Sequence, residues 1–297
     1  MQSGAPVGMI GLGLMGAALS ARLINGGMAV IGFDIDAAKR YAFETIGGET
    51  ADTAGRLAAR CPIIVIAVFN AEQVMSLLDE LAQGAGATRP LLICTTTCAP
   101  GEIADIAERA GRAGLPLVEA PISGTSAEVR AAAATALIAG EPEAIAAAGA
   151  ILDILCPQQT RLPGIGDASR TKLAINLILQ SNRAALAEGI VFAERLGLDG
   201  AAFLAAARNS AAYSKVMDSK GRKMLTRDFA PQSHLAQTLK DAELILDEAG
   251  RRNLSLPMTS AQAILLRVAI RLEGPDSDSA AVIEAIRPQH GPTGETR

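Results

Sequence analysis

Tryptophan is absent from the 297-residue chain, and only two tyrosines and six phenylalanines accompany its 49% hydrophobic residues. A nucleic-acid binder needs a basic face and aromatic platforms on which bases stack. A net charge of -4 with so few rings disfavours that class. There are two histidines in all, and the four cysteines (Cys61, Cys94, Cys98 and Cys156) form no Cys-x-x-Cys pair. This argues against a zinc site, and no metal is expected. Scattered cysteines in a chain of this length read as small buried hydrophobes in a reducing compartment. No apolar stretch reaches the ~18 residues of a transmembrane helix, so no membrane partner is expected. Ala5–Ala21 is uncharged, but it has no positive leading segment and glycines interrupt it, unlike a secretion signal. The cytoplasm is the expected location. No run of like charges suggests an interaction tail.

What is present is Ala, Leu, Ile and Val in two kinds of pattern. At one domain per ~150 residues, the length suggests two domains. The first half alternates short apolar runs with helical periodicity. Strands are expected at Pro6–Ile10, Met28–Phe33, Pro62–Val68, Pro90–Thr95 and Leu115–Ala120. Helices are expected at Leu14–Asn25, from near Asp36, at Ala71–Gln83 and at Pro100–Ala113. Strand and helix in strict alternation predict a parallel, doubly wound α/β sheet of Rossmann type. From Asp167 to Leu196 there is no proline and one glycine, and the apolar residues Leu173, Ile175, Ile178, Ile190, Val191 and Phe192 spread around several faces. One long, buried interdomain helix is expected. Helical periodicity continues at Gly200–Asn209, Leu235–Glu248, Thr259–Leu272 and Ser279–Ile286, so the second domain is expected to be all α. The expected organisation is a dinucleotide-binding domain over 1–166, a helical substrate and oligomerisation domain over 167–290, and a disordered tail over 291–297.

Gly11-Leu12-Gly13-Leu14-Met15-Gly16 follows the first expected strand and opens the first helix. Glycine permits the tight turn at Gly11, backbone approach to a pyrophosphate at Gly13 and helix-on-strand packing at Gly16. The helix N-terminus offers unpaired N–H groups to the phosphates. Alone, such a motif can also be a ligand-free turn. Asp34, at the end of the second strand, adds a carboxylate where NAD presents its ribose hydroxyls. A 2′-phosphate would meet negative charge there, which favours NAD without excluding NADP, because Lys39 and Arg40 follow closely. Asp34 could instead cap the next helix, a role that suits Asp36 better.

Two further segments carry polar groups at strand and helix ends. Glu119-Ala120-Pro121-Ile122-Ser123-Gly124-Thr125 follows a strand, and its hydroxyls and N–H groups could receive a carboxylate or simply form a turn. Lys172 and Asn176 are four apart, so they share a helix face. Burial disfavours the charged form of a lysine, and such an amine can move a proton near neutral pH. The plainer alternative is a surface lysine with a snorkelling stem.

Taken in order, these segments resemble the 3-hydroxyacid (β-hydroxyacid) dehydrogenase family over roughly Val7 to Ile286. Gly11–Gly16 is similar to the family's cofactor signature, including Met15. Glu119–Thr125 resembles its substrate signature Asp-Ala-Pro-Val-Ser-Gly-Gly, Lys172 and Asn176 match its Lys-x-x-x-Asn, and Lys240-Asp241 resembles its late Lys-Asp pair. The resemblance implies Lys172 as general acid/base, with Asn176 holding the substrate and orienting Lys172. It implies Ser123, Gly124, Thr125 and Ser214 on the substrate, and Asn70, Thr96 and Lys240 on the cofactor beside the glycine motif and Asp34. It also implies a small carboxylate-bearing substrate and a homodimer or homotetramer.

The chain departs from the pattern where Glu119 replaces Asp, Thr125 replaces the second Gly and Ala132 stands where many relatives have Gly. Thr125 adds bulk beside the expected carboxylate site. An imine reductase and a non-catalytic nicotinamide-binding module are the alternatives; the presence of Lys172 argues against the first, and Lys172 together with Asn176 against the second.

Overall fold

The structure is a computed structural model that describes residues 4–287. The expected tail, 291–297, lies outside the described residues. The chain forms two compact units that divide between Leu173 and Ala174.

The first unit runs β1 (Val7–Ile10), α1 (Leu14–Asn25), β2 (Val30–Phe33), α2 (Ala37–Thr45), β3 (Glu49–Thr50), α3 (Ala54–Arg60), β4 (Ile63–Ile66), α4 (Ala71–Ala85), β5 (Leu91–Cys94), α5 (Pro100–Arg112) and β6 (Leu117–Glu119). It continues with β7 (Ile122–Ser123), α6 (Ser126–Arg130), β8 (Thr135–Gly140), α7 (Pro142–Leu155) and β9 (Gln158–Arg161). The strand order is β3-β2-β1-β4-β5-β6-β8-β7, with β9 beside β8. From β3 to β6 every pairing is parallel, as the alternating pattern predicts. Successive strand residues feed opposite cores: Val65 and Ile93 pack into one, whereas Ile64, Ile66, Leu92 and Cys94 pack into the other. Both faces are therefore covered, which explains why these strands read as unbroken apolar runs. The order turns back at β1, which pairs with β2 on one side and β4 on the other. Open α/β sheets bind ligands outside the C-terminal strand ends at such a reversal.

Beyond β6 the structure adds elements that the pattern did not indicate. β8 runs antiparallel to β6 and to β7, and β9 joins it in parallel. Helix α8 (Asp167–Arg195) starts at the expected residue and crosses from the first unit into the second. Its expected burial on most sides is observed only in part. Leu173, Ile190 and Val191 are buried, but Ile178 and Phe192 are 61% and 66% exposed.

The second unit continues with α9 (Gly200–Arg208), a π-helical segment Met217–Gly221 running into α10 (Arg222–Thr226), α11 (Leu235–Gly250), α12 (Pro257–Glu273) and a 3-10 segment, Ser279–Ala285. The last segment was expected as α-helix. Asp278 caps it through the N–H of Ala280 at 2.9 Å. Leu186, Ile190, Leu204, Met224, Leu235, Leu266 and Val282 form this unit's core. Within it Lys220 Nζ donates to both oxygens of Asp278, at 2.7 and 2.8 Å. Burial alone would raise the Asp278 carboxyl. The Lys220 ammonium and the N–H groups of Ala280 and Gln232 outweigh that and hold it below the usual carboxylate range.

Candidate active site

The glycine turn follows β1 at the sheet reversal. Gly11 has φ +87°, and a Cβ there would lie 2.5 Å from the carbonyl oxygen of Ala67. A Cβ on Gly16 would lie 1.7 Å from the Gly11 oxygen, so neither position accepts a side chain without moving backbone. Gly13 is the N-cap of α1 and offers no side chain to its N–H groups, and the first turn carries no acidic residue. Leu12 is buried, and Leu14 and Met15 are half-buried. Asp34, 7% exposed, accepts from Leu12 N at 2.8 Å and from Asp36 N at 2.9 Å. The structure thus ties Asp34 directly to the glycine turn. Each carboxylate oxygen takes one backbone N–H and keeps further acceptor capacity for a hydroxyl. Asp36 caps α2 through Ala38 N, as expected. An open helix N-terminus for phosphate and an adjoining carboxylate for ribose fit a nicotinamide dinucleotide.

Asn70 and Thr96 follow the C-terminal ends of β4 and β5, the same edge as Gly11. Asn70 caps α4 by accepting from Gln73 N, and Thr96 Oγ1 donates to Val68 O at 3.1 Å. Both side chains therefore have structural work at positions expected to face the cofactor.

The segment after β6 is organised around α8. Glu119, 1% exposed, accepts from Gly166 N at 2.7 Å and Ser169 N at 2.6 Å. Burial pushes its carboxyl above the usual range, against the pull of these donors. Lys172 is 6% exposed, and its Nζ donates to Ile122 O at 2.7 Å. It is therefore no snorkelling surface lysine. Ser123 and Gly124 directly follow that carbonyl. Gly124 has φ +151°, and a Cβ there would meet Ala134 Cβ at 2.8 Å. Thr125, read from sequence as added bulk near the substrate, is the N-cap of α6 in a capping box with Glu128. Its hydroxyl reaches Glu128 Oε2 at 3.1 Å. The signal was present as Thr125-x-x-Glu128.

In the second unit, Asn176, 4% exposed, donates to Asp241 Oδ2 at 2.8 Å. Lys240 Nζ lies 3.0 Å from Asp241 Oδ1. Asp241 thus joins two residues to which the family resemblance gives separate places, on substrate and on cofactor. Ser214 lines a cavity of about 440 Å³ with Asn182, Leu186, Phe203 and Met217, a lining that includes neither Asn176 nor Lys240. Among the described residues no cluster of His, Cys, Asp and Glu could hold a metal, and no helix is long and apolar enough to cross a membrane.

Residues 6–162 match the family model described as the NAD binding domain of 6-phosphogluconate dehydrogenase. Residues 166–286 match the one described as NAD-binding of NADP-dependent 3-hydroxyisobutyrate dehydrogenase. The chain belongs to the 3-hydroxyacid dehydrogenase family. It is accordingly an NAD(P)-dependent oxidoreductase of the class acting on CH–OH donors. Among the family's curated members it is 28% identical to an L-threonate dehydrogenase of Cupriavidus necator, over 94% of this chain and 95% of that one. It is 25% identical to the 2-hydroxy-3-oxopropionate reductase of Escherichia coli, over 94% and 96%. The crystal structure of 3-hydroxyisobutyrate dehydrogenase from Salmonella typhimurium superposes with a TM-score of 0.85 at 23% identity, over 95% of this chain and 99% of that one, which shows the shared fold.

Proposed function

We propose that the protein interconverts a small 3-hydroxy acid and its semialdehyde or keto form with NAD, using Lys172 as general acid/base. The observation that carries this reading is the buried Lys172 amine, fixed at 2.7 Å on the carbonyl of Ile122, immediately before Ser123 and Gly124. An amine held still beside hydroxyl and N–H donors suits proton transfer at a carbon whose neighbour bears a carboxylate. Bound nicotinamide supplies the hydride acceptor or donor. In oxidation Lys172 takes the hydroxyl proton, and in reduction it returns a proton to the forming alkoxide. Ser123 and Gly124 receive the carboxylate. Asn176, one helical turn after Lys172, holds the substrate hydroxyl region, and Asp241 fixes its amide. Lys240 and Ser214 are assigned to the nicotinamide end and to the substrate on the resemblance of their positions. Domain roles follow: residues 1–166 bind the dinucleotide, and 167–290 bind substrate and join a homodimer or homotetramer.

The test is an assay of NAD and NADP reduction with 3-hydroxyisobutyrate, glycerate, threonate and 3-hydroxypropionate, run beside Lys172→Ala. The reading expects NAD-linked turnover that falls by about 10²–10⁴-fold in the variant. Measurable NAD binding with no turnover of any acid, or a variant as active as the parent, would overturn it.

A further inference from the structure

The first turn of α8 is capped from another strand. Gly166, the residue before the helix, has φ +91° and no side chain, so it cannot supply the oxygen that N-cap residues give. In a capping box the N-cap and N3 residues exchange side-chain bonds to satisfy two orphan N–H groups. Here one carboxylate does both. Glu119, at the end of β6, accepts from Gly166 N at 2.7 Å and from Ser169 N, at the third helical position, at 2.6 Å. Three residues further along each segment, Ile122 O accepts Lys172 Nζ at 2.7 Å. The strip from Glu119 to Ile122 therefore grips the start of α8 twice, once at the helix end and once at the amine.

We propose that Glu119 is the positioning residue that sets the first turn of α8, and with it the place of the Lys172 amine, relative to Ser123 and Gly124. The proposal rests on the reading of Lys172 as acid/base. Glu119 acts through the backbone N–H groups of Gly166 and Ser169. A carboxylate that is 1% exposed is costly to bury, and its two N–H bonds at this helix end offset part of that cost. The side chain is one methylene longer than the aspartate of the family signature, so its reach to both N–H groups depends on this chain's own residue.

Glu119→Gln keeps the shape but turns an amide NH2 toward one of two N–H donors. Glu119→Asp keeps the charge and shortens the reach. Both variants of the full chain are to be compared with the parent and with Lys172→Ala by steady-state kinetics, and by amide hydrogen exchange of the ligand-free protein over residues 166–172. In Glu119→Gln, kcat is expected to fall about 10- to 100-fold through the misplaced amine, with KM and NAD affinity within about twofold. Exchange over 166–172 speeds up, and Glu119→Asp recovers part of kcat. A Glu119→Gln kcat within about twofold of the parent overturns the proposal, as does a lost kcat with unchanged exchange at 166–172. If Glu119→Gln gives no folded protein, the aspartate variant carries the same two readouts. The underlying reading fails separately: turnover retained in Lys172→Ala removes Lys172 from the chemistry and the Glu119 proposal with it. Loss in Lys172→Ala beside a normal Glu119→Gln removes Glu119 alone.

Discussion

Asp34 holds the N–H groups of Leu12 and Asp36 with separate oxygens, so its carboxylate is fixed against the glycine turn. A 2′-phosphate brought there meets a buried negative charge, and a ribose diol meets two acceptors. Arg40 stands close by, with its guanidinium donating to the Asp34 carbonyl. Removing the charge while keeping the shape leaves that cation unopposed. Asp34→Asn is therefore expected to lower the ratio of kcat/KM with NAD to that with NADP by about 10- to 100-fold, or about 1.4–2.8 kcal/mol. Paired steady-state assays check it, and an unchanged ratio would take Asp34 out of cofactor choice. The tie of Asp34 to the glycine turn and the burial of Lys172 were legible from residue type in a fixed strand and helix context. Thr125 and Asn70 were legible as polar residues but not by their use. Each has a partner three residues on, Glu128 and Gln73, that marks a helix start. The carbonyl of Ile122, which holds Lys172, left no trace, because backbone acceptors carry no residue signature.

Helix α6 ends in a Schellman arrangement. The N–H of Ala133 bonds Glu128 O at 2.9 Å, and the N–H of Ala132 bonds Val129 O at 3.0 Å. The residue between cap and exit, Ala132, has φ +57°, the left-handed region that this motif gives to glycine. A β-carbon there costs roughly 1–2 kcal/mol, and the extra freedom of glycine in the unfolded chain offsets about half. Ala132→Gly is expected to stabilise the protein by about 0.5–1 kcal/mol, raising Tm by about 1–3 °C. Calorimetry decides it, and a lower Tm would show that the alanine methyl packs better than its backbone suffers. This stretch also shows where element reading stops. Alanines at 131–134 weigh little in either a helical or a strand pattern, so α6, β8 and α7 gave no clear period around them. Helix α8 was plain because 29 residues carry no proline and a single glycine. The antiparallel β8 was beyond local pattern altogether, because pairing direction is settled between distant segments.

At the scale of the whole molecule, apolar residues are left over in the helical unit. Ile178, Phe192, Leu196, Met258 and Ile264 are each between 59% and 67% exposed. On α8, Ile178 and Phe192 lie about four turns apart on one side, by the 3.6-residue period. Single exposed apolar residues are ordinary, but large ones repeated along one helix side make that side a candidate contact surface. The proposed homo-oligomer would supply that cover, since α8 carries apolar residues on more faces than one chain buries. Light scattering at micromolar concentration is expected to give two or four times the chain mass. Ile178→Asp with Phe192→Asp is expected to shift the protein to monomer while leaving the fold of the first unit intact, read as retained NAD binding. Burying two such charges between copies without partners costs several kcal/mol, enough to empty the assembled state at that concentration. A parent chain that scatters as a monomer would leave these side chains as solvent-exposed surface. A charged variant that stays assembled would place the interface on other faces of the helical unit.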